Sequence, residues 1–546
     1  MLFNSYDFVF LFFPLVLAGY GFLKKIWHSS LWEPYQVRIA NGLLLAASLV
    51  FYGWMRPSFL PVLVGSMALN YGIFLLMERT KRKKLWLAAG LIINLGALIY
   101  FKYAKGVSAL PLGISFFTFT QIAFLMEAYG GKLHKVPILS YGLYVSFFPK
   151  IMQGPIALPG EMLPQFEKRD TRVSWEKIYK SFYLFVLGLS KKVLLADTFG
   201  KAADFGYANL SGLNTWDGII VMLSYTLQLY FDFGGYCDMA MGIAGMLGFD
   251  LPVNFDSPYK AANIIEFWKG WHITLTRFFT KYLYIPLGGN RKGKGRTYCN
   301  YLLVFLVSGI WHGVGLQFVV WGMMHGALYV LTRMWQDRSI DGRDGGRMRN
   351  RTGNGVRMGN SVEAGNGVQG RNGVRSRDGV QAEKGVRSEN GFVKNSVQND
   401  TKDSVCYKRL WQVSGRVLKV FLTFLYVNVA WIFFRASSVR EAVELIKRII
   451  SFQFGRVSWD LAGSFNLDEF WYVIKVLGLD RWQNAHYILM AVIVTGGLLL
   501  VFFGKNALAI SKKAKPGVAN SVIMAVLLVW CVLSFSGVSS FLYVNF

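Results

Sequence analysis

Hydrophobic residues run along this chain in long stretches that short polar segments separate. Many stretches approach the ~20 apolar residues that a helix needs to cross the hydrocarbon core of a bilayer. The predicted spans lie at about 7–23, 40–55, 57–77, 85–101, 178–197, 217–233, 300–335 (with a break), 415–434, 484–503 and 519–537. The pattern predicts an all-α polytopic membrane protein whose first partner is the lipid bilayer.

Two further apolar pieces, 110–129 and 137–159, are rich in Gly and Pro. Non-helical backbone persists at membrane depth only where protein or a water-filled cavity surrounds it. We therefore interpret both pieces as re-entrant or broken helices that line a central cavity.

Composition and charge support this class. The chain has 546 residues, 53% of them hydrophobic and 16% charged, with a formal net charge of +28. Basic clusters at 24–25, 79–84 and 505–515 flank apolar stretches, the pattern of cytoplasmic loops. They predict a multi-pass membrane protein with both termini extracytoplasmic, although the cluster at 291–296 fits only if 263–289 re-enters the membrane. Nothing favours a nucleic-acid partner.

One segment, 337–410, differs from the rest. It is rich in Gly, Asn, Arg and Ser, and an Asn-Gly-Val-like unit recurs every six residues. A hexapeptide β-helix is one interpretation. A disordered cytoplasmic insert is favoured, because the segment has too little apolar surface to offset its ordering entropy. The membrane core is then divided into 1–336 and 411–546.

Three of the six histidines, His272, His312 and His325, lie in or beside apolar runs. A polar ring at membrane depth is costly, which makes each a functional candidate, and imidazole is suited to proton transfer near neutral pH. On one continuous helix His312 and His325 would lie about 20 Å apart on roughly opposite faces. They can act together only if the helix breaks, for which Gly313 and Gly315 are candidates.

Other polar residues could support these histidines. Asp232 and Asp238 lie next to apolar runs and could orient an imidazole or hold its charge, and Trp271 and Trp311 directly precede two of the histidines. The four cysteines are scattered, so neither a metal site nor a disulfide is predicted.

The motifs around these residues carry a resemblance. They are MLFNSYDFVFLFFPLVL, SLVFYGW, PLGISFFTFTQIAFLMEAYGG, FFPKIMQGPI, GLSKKVLLAD, YFDFGGYCDMAMGIAGMLGF, FWKGWHITLTRF, YLYIPLGGN, SGIWHG, WGMMHG and VAWIFFRA. Together they resemble the membrane-bound O-acyltransferase (MBOAT) family, in the branch of the alginate O-acetyltransferase membrane subunit. Thr280-Lys281 departs from the Arg-Asp pair that is common in the family, which puts a salt bridge there in doubt.

The resemblance implies a ring of transmembrane and re-entrant helices around a central funnel. It implies that His312 is the catalytic residue and that His272 is the second histidine typical of the family. We expect an acyl, most simply acetyl, transfer from acetyl-CoA or an acylated carrier protein, with no permanently bound cofactor. The expected partners are a polysaccharide acceptor and an extracytoplasmic SGNH-type transferase or esterase.

Two alternatives stay open. The chain could transfer D-alanyl or another acyl group to a cell-wall polymer. In a different class, it could be a polysaccharide or lipid transporter, since transporters also place broken helices and polar sites at the membrane midplane.

The last six residues, Phe-Leu-Tyr-Val-Asn-Phe, contain Tyr543. They resemble an F-x-Y-x-x-F motif associated with acyl relay in related envelope-acylation systems, which implies that the Tyr543 hydroxyl carries the acyl group. The alternative is an aromatic anchor at the membrane interface.

Overall fold

Helices form all the regular structure that the computed structural model describes, at residues 1–26, 33–104, 110–167, 173–349, 397–478, 482, 484–537, 539 and 541–542. No β-strand occurs in these ranges. The prediction of an all-α membrane protein is confirmed. The helices of the first half are α1 (Phe13–Ile26), α2 (Glu33–Met55), α3 (Leu60–Arg79), α4 (Lys83–Tyr103), α5 (Ile114–Tyr129), α6 (Ile138–Ser146), α7 (Pro159–Glu167), α8 (Trp175–Ser190), α9 (Asp197–Ala208) and α10 (Thr215–Met246).

The remaining helices include two long ones around the insert. They are α11 (Ile264–Gly270), α12 (Ile273–Phe279), α13 (Lys294–His312), α14 (Leu316–Arg349), α15 (Val397–Arg435), α16 (Val439–Ile450), α17 (Trp459–Gly463), α18 (Asp468–Val476), α19 (Ala485–Phe503), α20 (Ala507–Lys513) and α21 (Val518–Leu533).

Five described helices are long and apolar enough to cross a membrane: Tyr35–Met55, Pro57–Arg79, Lys83–Tyr103, Ser414–Arg435 and Ala485–Phe503. They agree with five predicted spans. The predicted spans at 7–23 and 519–537 correspond to the shorter apolar helices Asp7–Leu23 and Val518–Leu533.

The chain divides into two compact units, Met1–Thr332 with Lys419–Phe546, and Arg333–Leu418. The second unit holds the end of α14 and the start of α15, and Arg333 pairs with Asp337 there at 3.3 Å. The predicted insert boundaries at 337 and 410 fall inside these helices. Residues 350–396 lie outside the described ranges, so disorder of the insert stays a prediction.

Helix α10 crosses the centre of the first unit, and its residues from 224 to 246 are all buried. An Asn214 cap with a reciprocal Asp217 bond starts it, which satisfies donors that a helix start leaves open. Glycines bring it against α8: a Cβ on Gly188 would lie 2.7 Å from the Gly235 carbonyl oxygen, and the reverse holds for Gly235. Small residues allow this close approach of two backbones.

The two Gly- and Pro-rich pieces behave differently. Residues 137–159 form α6 and then an irregular stretch, and the backbone from 147 to 157 is buried within the protein, as irregular backbone in a membrane requires. For 110–129, the prediction of a break is wrong over residues 114–129, which form the continuous helix α5 after Gly113 in the left-handed region at φ 65°. That this helix is re-entrant stays a prediction.

Candidate functional site

The helix that carries the two later histidines breaks between them. Helix α13 ends at His312, and α14 begins at Leu316. Gly315 has φ 137°, a conformation that favours glycine, and a Cβ on Gly313 would lie 2.1 Å from the Phe318 ring. The predicted break is therefore present, and it leaves His312 at the last position of its helix.

Three histidines gather around two tryptophans. The His312 ring lies 4.6 Å from that of Trp311 and 5.0 Å from that of Trp321, centroid to centroid. His325 approaches Trp321 at 5.0 Å, and His272 approaches Trp311 at 6.4 Å. All three imidazoles are buried. The helix break and the separate segment of His272 thus bring together the three histidines that the sequence singled out.

Close packing of α13 on α14 fixes this arrangement. A Cβ on Gly309 would lie 2.4 Å from the Phe318 carbonyl oxygen, and one on Gly322 would lie 2.5 Å from the Phe305 carbonyl oxygen. Larger residues at either position would push the two helices apart and separate His312 from Trp321.

Asn254 sets the tautomer of His272. Its side-chain oxygen accepts hydrogen bonds from the Thr274 backbone N–H at 3.2 Å and the Thr274 hydroxyl at 2.8 Å. The same oxygen lies 3.1 Å from His272 Nδ1. Because that oxygen only accepts, Nδ1 carries the proton and the neutral ring presents a bare lone pair at Nε2. Nε2 has no protein partner among the described residues, so its lone pair can accept a hydrogen bond from a ligand.

His325 lies among aromatic rings. Its ring is 5.2 Å from that of Trp268 and 6.1 Å from that of Phe267, and within the described residues neither ring nitrogen has a hydrogen-bond partner. Buried polar atoms are normally paired. The unpaired nitrogens make His325 a candidate contact for a polar ligand.

Lys102 and Tyr103, at the end of α4, hold the end of α13. The Lys102 ammonium donates to the Trp311 carbonyl oxygen, and the Tyr103 hydroxyl donates to the Ile310 carbonyl oxygen. These are among the carbonyls that the last turn of a helix leaves without partners. Sequence reasoning missed both residues, because a Lys-Tyr pair at the end of an apolar stretch is also typical of an interfacial anchor.

A cavity of about 590 Å³ lies between α11–α12 and α13–α14. Trp268, Phe305 and Ser308 line it, which places it against the His325 environment and one turn before His312. Its other walls carry basic side chains, from Lys269, Arg277 and Lys281.

Two of these cations are paired. Arg277 binds Glu161 at 2.5 and 2.8 Å, and Lys281 binds Glu127. Ion pairs therefore form here despite the departure at Thr280-Lys281.

Asp232 and Asp238 are held by lysines. Asp238 binds Lys191 at 2.6 Å, and Asp232 binds Lys192 at 2.8 Å. The structure therefore does not bring these two carboxylates to the histidines, and the interpretation that they orient an imidazole is replaced by one in which they neutralise buried ammonium groups. The signal in the sequence was the Lys191-Lys192 pair inside an apolar run.

Two other predicted residues remain. Trp271 is 1% exposed and its ring stacks on that of Phe267 at 5.6 Å, so it is a packing residue next to His272 in the chain. Tyr543 lies outside the described residues.

Over the described part of the chain, no group of three or more His, Cys, Asp or Glu is placed to hold a metal ion.

Comparison with known proteins gives the family. A family model described as MBOAT, membrane-bound O-acyltransferase family, matches residues 75–341. The peptidoglycan O-acetyltransferase of Helicobacter pylori is 40% identical over 371 residues, which cover 60% of this chain and 69% of that protein.

Two further relatives extend the comparison. The probable alginate O-acetylase AlgI of Pseudomonas putida is 37% identical over 358 residues, 61% of this chain and 71% of that protein. The teichoic acid D-alanyltransferase of Bacillus subtilis is 27% identical over 226 residues, 40% of this chain and 57% of that protein.

Proposed function

The chain belongs to the membrane-bound O-acyltransferase family, and from that premise we propose that it transfers an acetyl group to an extracytoplasmic polysaccharide. The acetyl group comes from a cytoplasmic thioester, either acetyl-CoA or an acylated carrier protein, and crosses the membrane through the protein. The protein lies in the bacterial cytoplasmic membrane, and both of its termini are on the extracytoplasmic side.

The observation that carries the proposal is the position of His312. It ends α13 at the helix break, buried, and shares Trp311 with His272 and Trp321 with His325. A structural histidine would not need two more buried histidines around the same tryptophans, whereas a proton-transfer site benefits from them.

The chemistry follows from these groups. The His312 imidazole takes the proton of the acceptor hydroxyl while the hydroxyl oxygen bonds to the thioester carbonyl carbon. The carbon–sulfur bond then breaks, and the leaving thiolate takes the proton from the imidazolium. The products are an ester and a free thiol. His272, with its bare Nε2, serves as a second proton acceptor beside the same tryptophan.

The tetrahedral intermediate needs donors for its oxyanion. The indole N–H groups of Trp311 and Trp321 are buried next to His312 and have no partner in the described part of the chain. They supply donors inside a water-poor site, where such bonds are strongest.

The cavity beside α13 is the proposed place of the donor. Its apolar wall suits the acyl chain and thioester arm. Arg277 and Lys281 are paired with Glu161 and Glu127, so Lys269 is the lining cation that we assign to a phosphate of the donor. The same features fit acetyl-CoA and the phosphopantetheine arm of a carrier protein.

Acetyl is preferred to D-alanyl as the transferred group. The relatives named as O-acetyltransferases are 37–40% identical to this chain, and the teichoic acid D-alanyltransferase is 27% identical. D-alanyl transfer to a cell-wall polymer is the second candidate, because that relative matches 40% of the chain.

The His312→Ala variant tests the catalytic assignment. We expect it to abolish polymer O-acetylation in cells while the protein accumulates in the membrane as the parent does. His134→Ala is the matched control, because His134 is exposed and its Nε2 lies 3.0 Å from the Gly131 carbonyl oxygen. Polymer acetylation that persists in His312→Ala would refute the proposal.

We extend the proposal to Tyr543. Its hydroxyl would accept the acetyl group and pass it to an extracytoplasmic SGNH-type partner, which transfers it to the polymer. The Tyr543→Phe variant should then lose polymer acetylation, and an acetyl adduct on Tyr543 should be found by mass spectrometry in the parent. Normal acetylation in Tyr543→Phe would instead support the interfacial anchor.

A further inference from the structure

A buried ion cluster lies at the start of α9 and in the middle of α10. The Lys192 ammonium binds Asp197 and Asp232 at 2.8 Å each. The side chain of Lys192 is 1% exposed, that of Asp197 is 9% exposed and that of Asp232 is 2% exposed. One ammonium faces two carboxylates, so the cluster has more acceptors than its own lysine can satisfy, and buried carboxylates need donors.

The segment that follows α21 supplies further donors. The Ser539 hydroxyl donates to Asp197 at 2.6 Å, and the Leu542 backbone N–H donates to Asp232 at 3.1 Å. Lys192 in turn donates to the Ser539 hydroxyl at 3.2 Å. Each member of the cluster therefore has a bond to this segment, which comes from more than 300 positions further along the chain.

Phe541 anchors the same segment between these bonds. It is 1% exposed, and the Lys192 ammonium lies 4.9 Å from its ring centre, within range of a cation–π interaction. Its ring also meets that of Tyr236 on α10 edge-on at 5.2 Å. Polar bonds on both sides of a buried aromatic ring fix the register of the segment as well as its place.

A neighbouring pair shows that this arrangement is specific. Lys191 directly precedes Lys192 in the π-helical turn Lys191–Ala196 between α8 and α9, and it binds Asp238 of α10 at 2.6 Å. That pair has one ammonium for one carboxylate and needs no outside donor. The surplus carboxylate in the Lys192 cluster thus distinguishes a docking site from an ordinary buried ion pair.

We propose that the cluster of Lys192, Asp197 and Asp232 is a dock for Ser539, Phe541 and Leu542 and acts as a positioning element in acyl transfer. It holds the chain immediately before Tyr543 in one register. Asp232 and Lys192 act through this segment and do not touch the reacting groups. The effect on transfer rests on the proposed function, whereas the docking itself does not.

The test compares Asp232→Asn with Asp238→Asn in the full chain, by hydrogen exchange of the peptide that contains Leu542. An amide at 232 can still accept from Lys192, but its NH₂ group would then face the Leu542 N–H, donor against donor. We expect faster exchange at Leu542 in Asp232→Asn. Asp238→Asn breaks a comparable buried pair and should leave exchange at Leu542 as in the parent.

Acyl transfer is measured on the same preparations. Asp232→Asn should lower polymer acetylation about 100-fold, as expected when a reacting group is misplaced by about 1 Å. Leu542→Pro, which removes the N–H donor and keeps Lys192, Asp197 and Asp232, should lower polymer acetylation by a similar factor. Leu542→Ala, which keeps the N–H donor, should acetylate the polymer as the parent does. Unchanged exchange in Asp232→Asn overturns the dock, and faster exchange with parental acetylation overturns the positioning role. If His312→Ala kept its activity, the proposed function would be refuted, but the docking measured by hydrogen exchange would still stand.

Discussion

The histidine site and the lysine–aspartate cluster are both buried and polar, yet they satisfy their polar groups in opposite ways. In the cluster, Lys192 is matched by Asp197 and Asp232, and each of the three has a close partner, although Asp197 Oδ2 has none among the described residues. At the histidine site, aromatic rings surround His325, and His272 keeps Nε2 without a protein partner in the described ranges. Paired groups hold a structure in place, whereas unpaired ones are free to bind substrate.

This difference separates two kinds of expected damage. Loss of one partner in an ion cluster leaves an uncompensated buried charge and destabilises the fold. Loss of an imidazole in an aromatic environment removes a proton acceptor while the packing can be kept by another ring. Stability and transfer rate should therefore respond differently to changes in the two regions.

The largest expected effect on stability is that of Lys192→Met. It leaves Asp197 and Asp232 facing each other without a cation, which should cost roughly 3–5 kcal/mol. Thermal unfolding of the purified protein in detergent should show a clearly lower midpoint. A midpoint equal to that of the parent would mean that the cluster is not a structural unit, and the contrast with the histidine site would fail.

His272→Phe should act mainly on rate, because Asn254 Oδ1 loses the Nδ1–H donor but keeps both donors from Thr274. The phenyl ring keeps the edge contact with Phe233, which lies 4.8 Å from the imidazole, but it removes the Nε2 lone pair. We expect transfer to fall roughly 100-fold, the contribution of a positioned base, with an unfolding midpoint close to the parent's. An equal loss of stability and rate would make His272 a packing residue.

Lys102→Met should have a smaller effect on the same site. It removes the donor to the Trp311 carbonyl, a loss of about 1–2 kcal/mol, and loosens the end of α13 where His312 stands. Initial rates should fall about tenfold, and Lys102→Arg should restore most of the rate because it keeps the charge and a donor. Failure of arginine to restore activity would argue against a positioning role.

The smallest effect is expected from deletion of residues 350–396. The segment has the composition of a disordered insert, and surface insertions of this kind are tolerated. Polymer acetylation and membrane accumulation should match the parent. A loss of either would assign the insert a role that its sequence does not reveal.

Much of the architecture could be predicted because burial in lipid leaves a strong signal. Apolar runs predicted the spans, and Gly313 and Gly315 predicted the helix break that brings His312 beside His325. The continuity of 114–129 could not be predicted, because Gly113 lies just before α5 and not inside it. A glycine near an apolar run has the same sequence signature in both cases.

The partners of the polar residues were harder to predict. Asp232 and Asp238 looked like companions of the histidines because both sets lie in apolar sequence. Their true partners are Lys191 and Lys192, which are 40 or more positions away along the chain. Pairing across such a distance depends on how the turn after α8 packs against α10, which hydrophobic periodicity does not encode. The bond of Asn254 to His272 escaped prediction for the same reason.

The role of His312 as the catalytic base is tested most directly by the initial rate of acetyl transfer. The rate is measured with purified His312→Asn protein whose unfolding midpoint equals that of the parent. Asparagine keeps a polar side chain at the end of α13 but cannot take a proton near neutral pH. We expect transfer to fall by about 100- to 10,000-fold, the contribution of a general base. A rate within a few-fold of the parent's would contradict the assignment of His312 as the catalytic base.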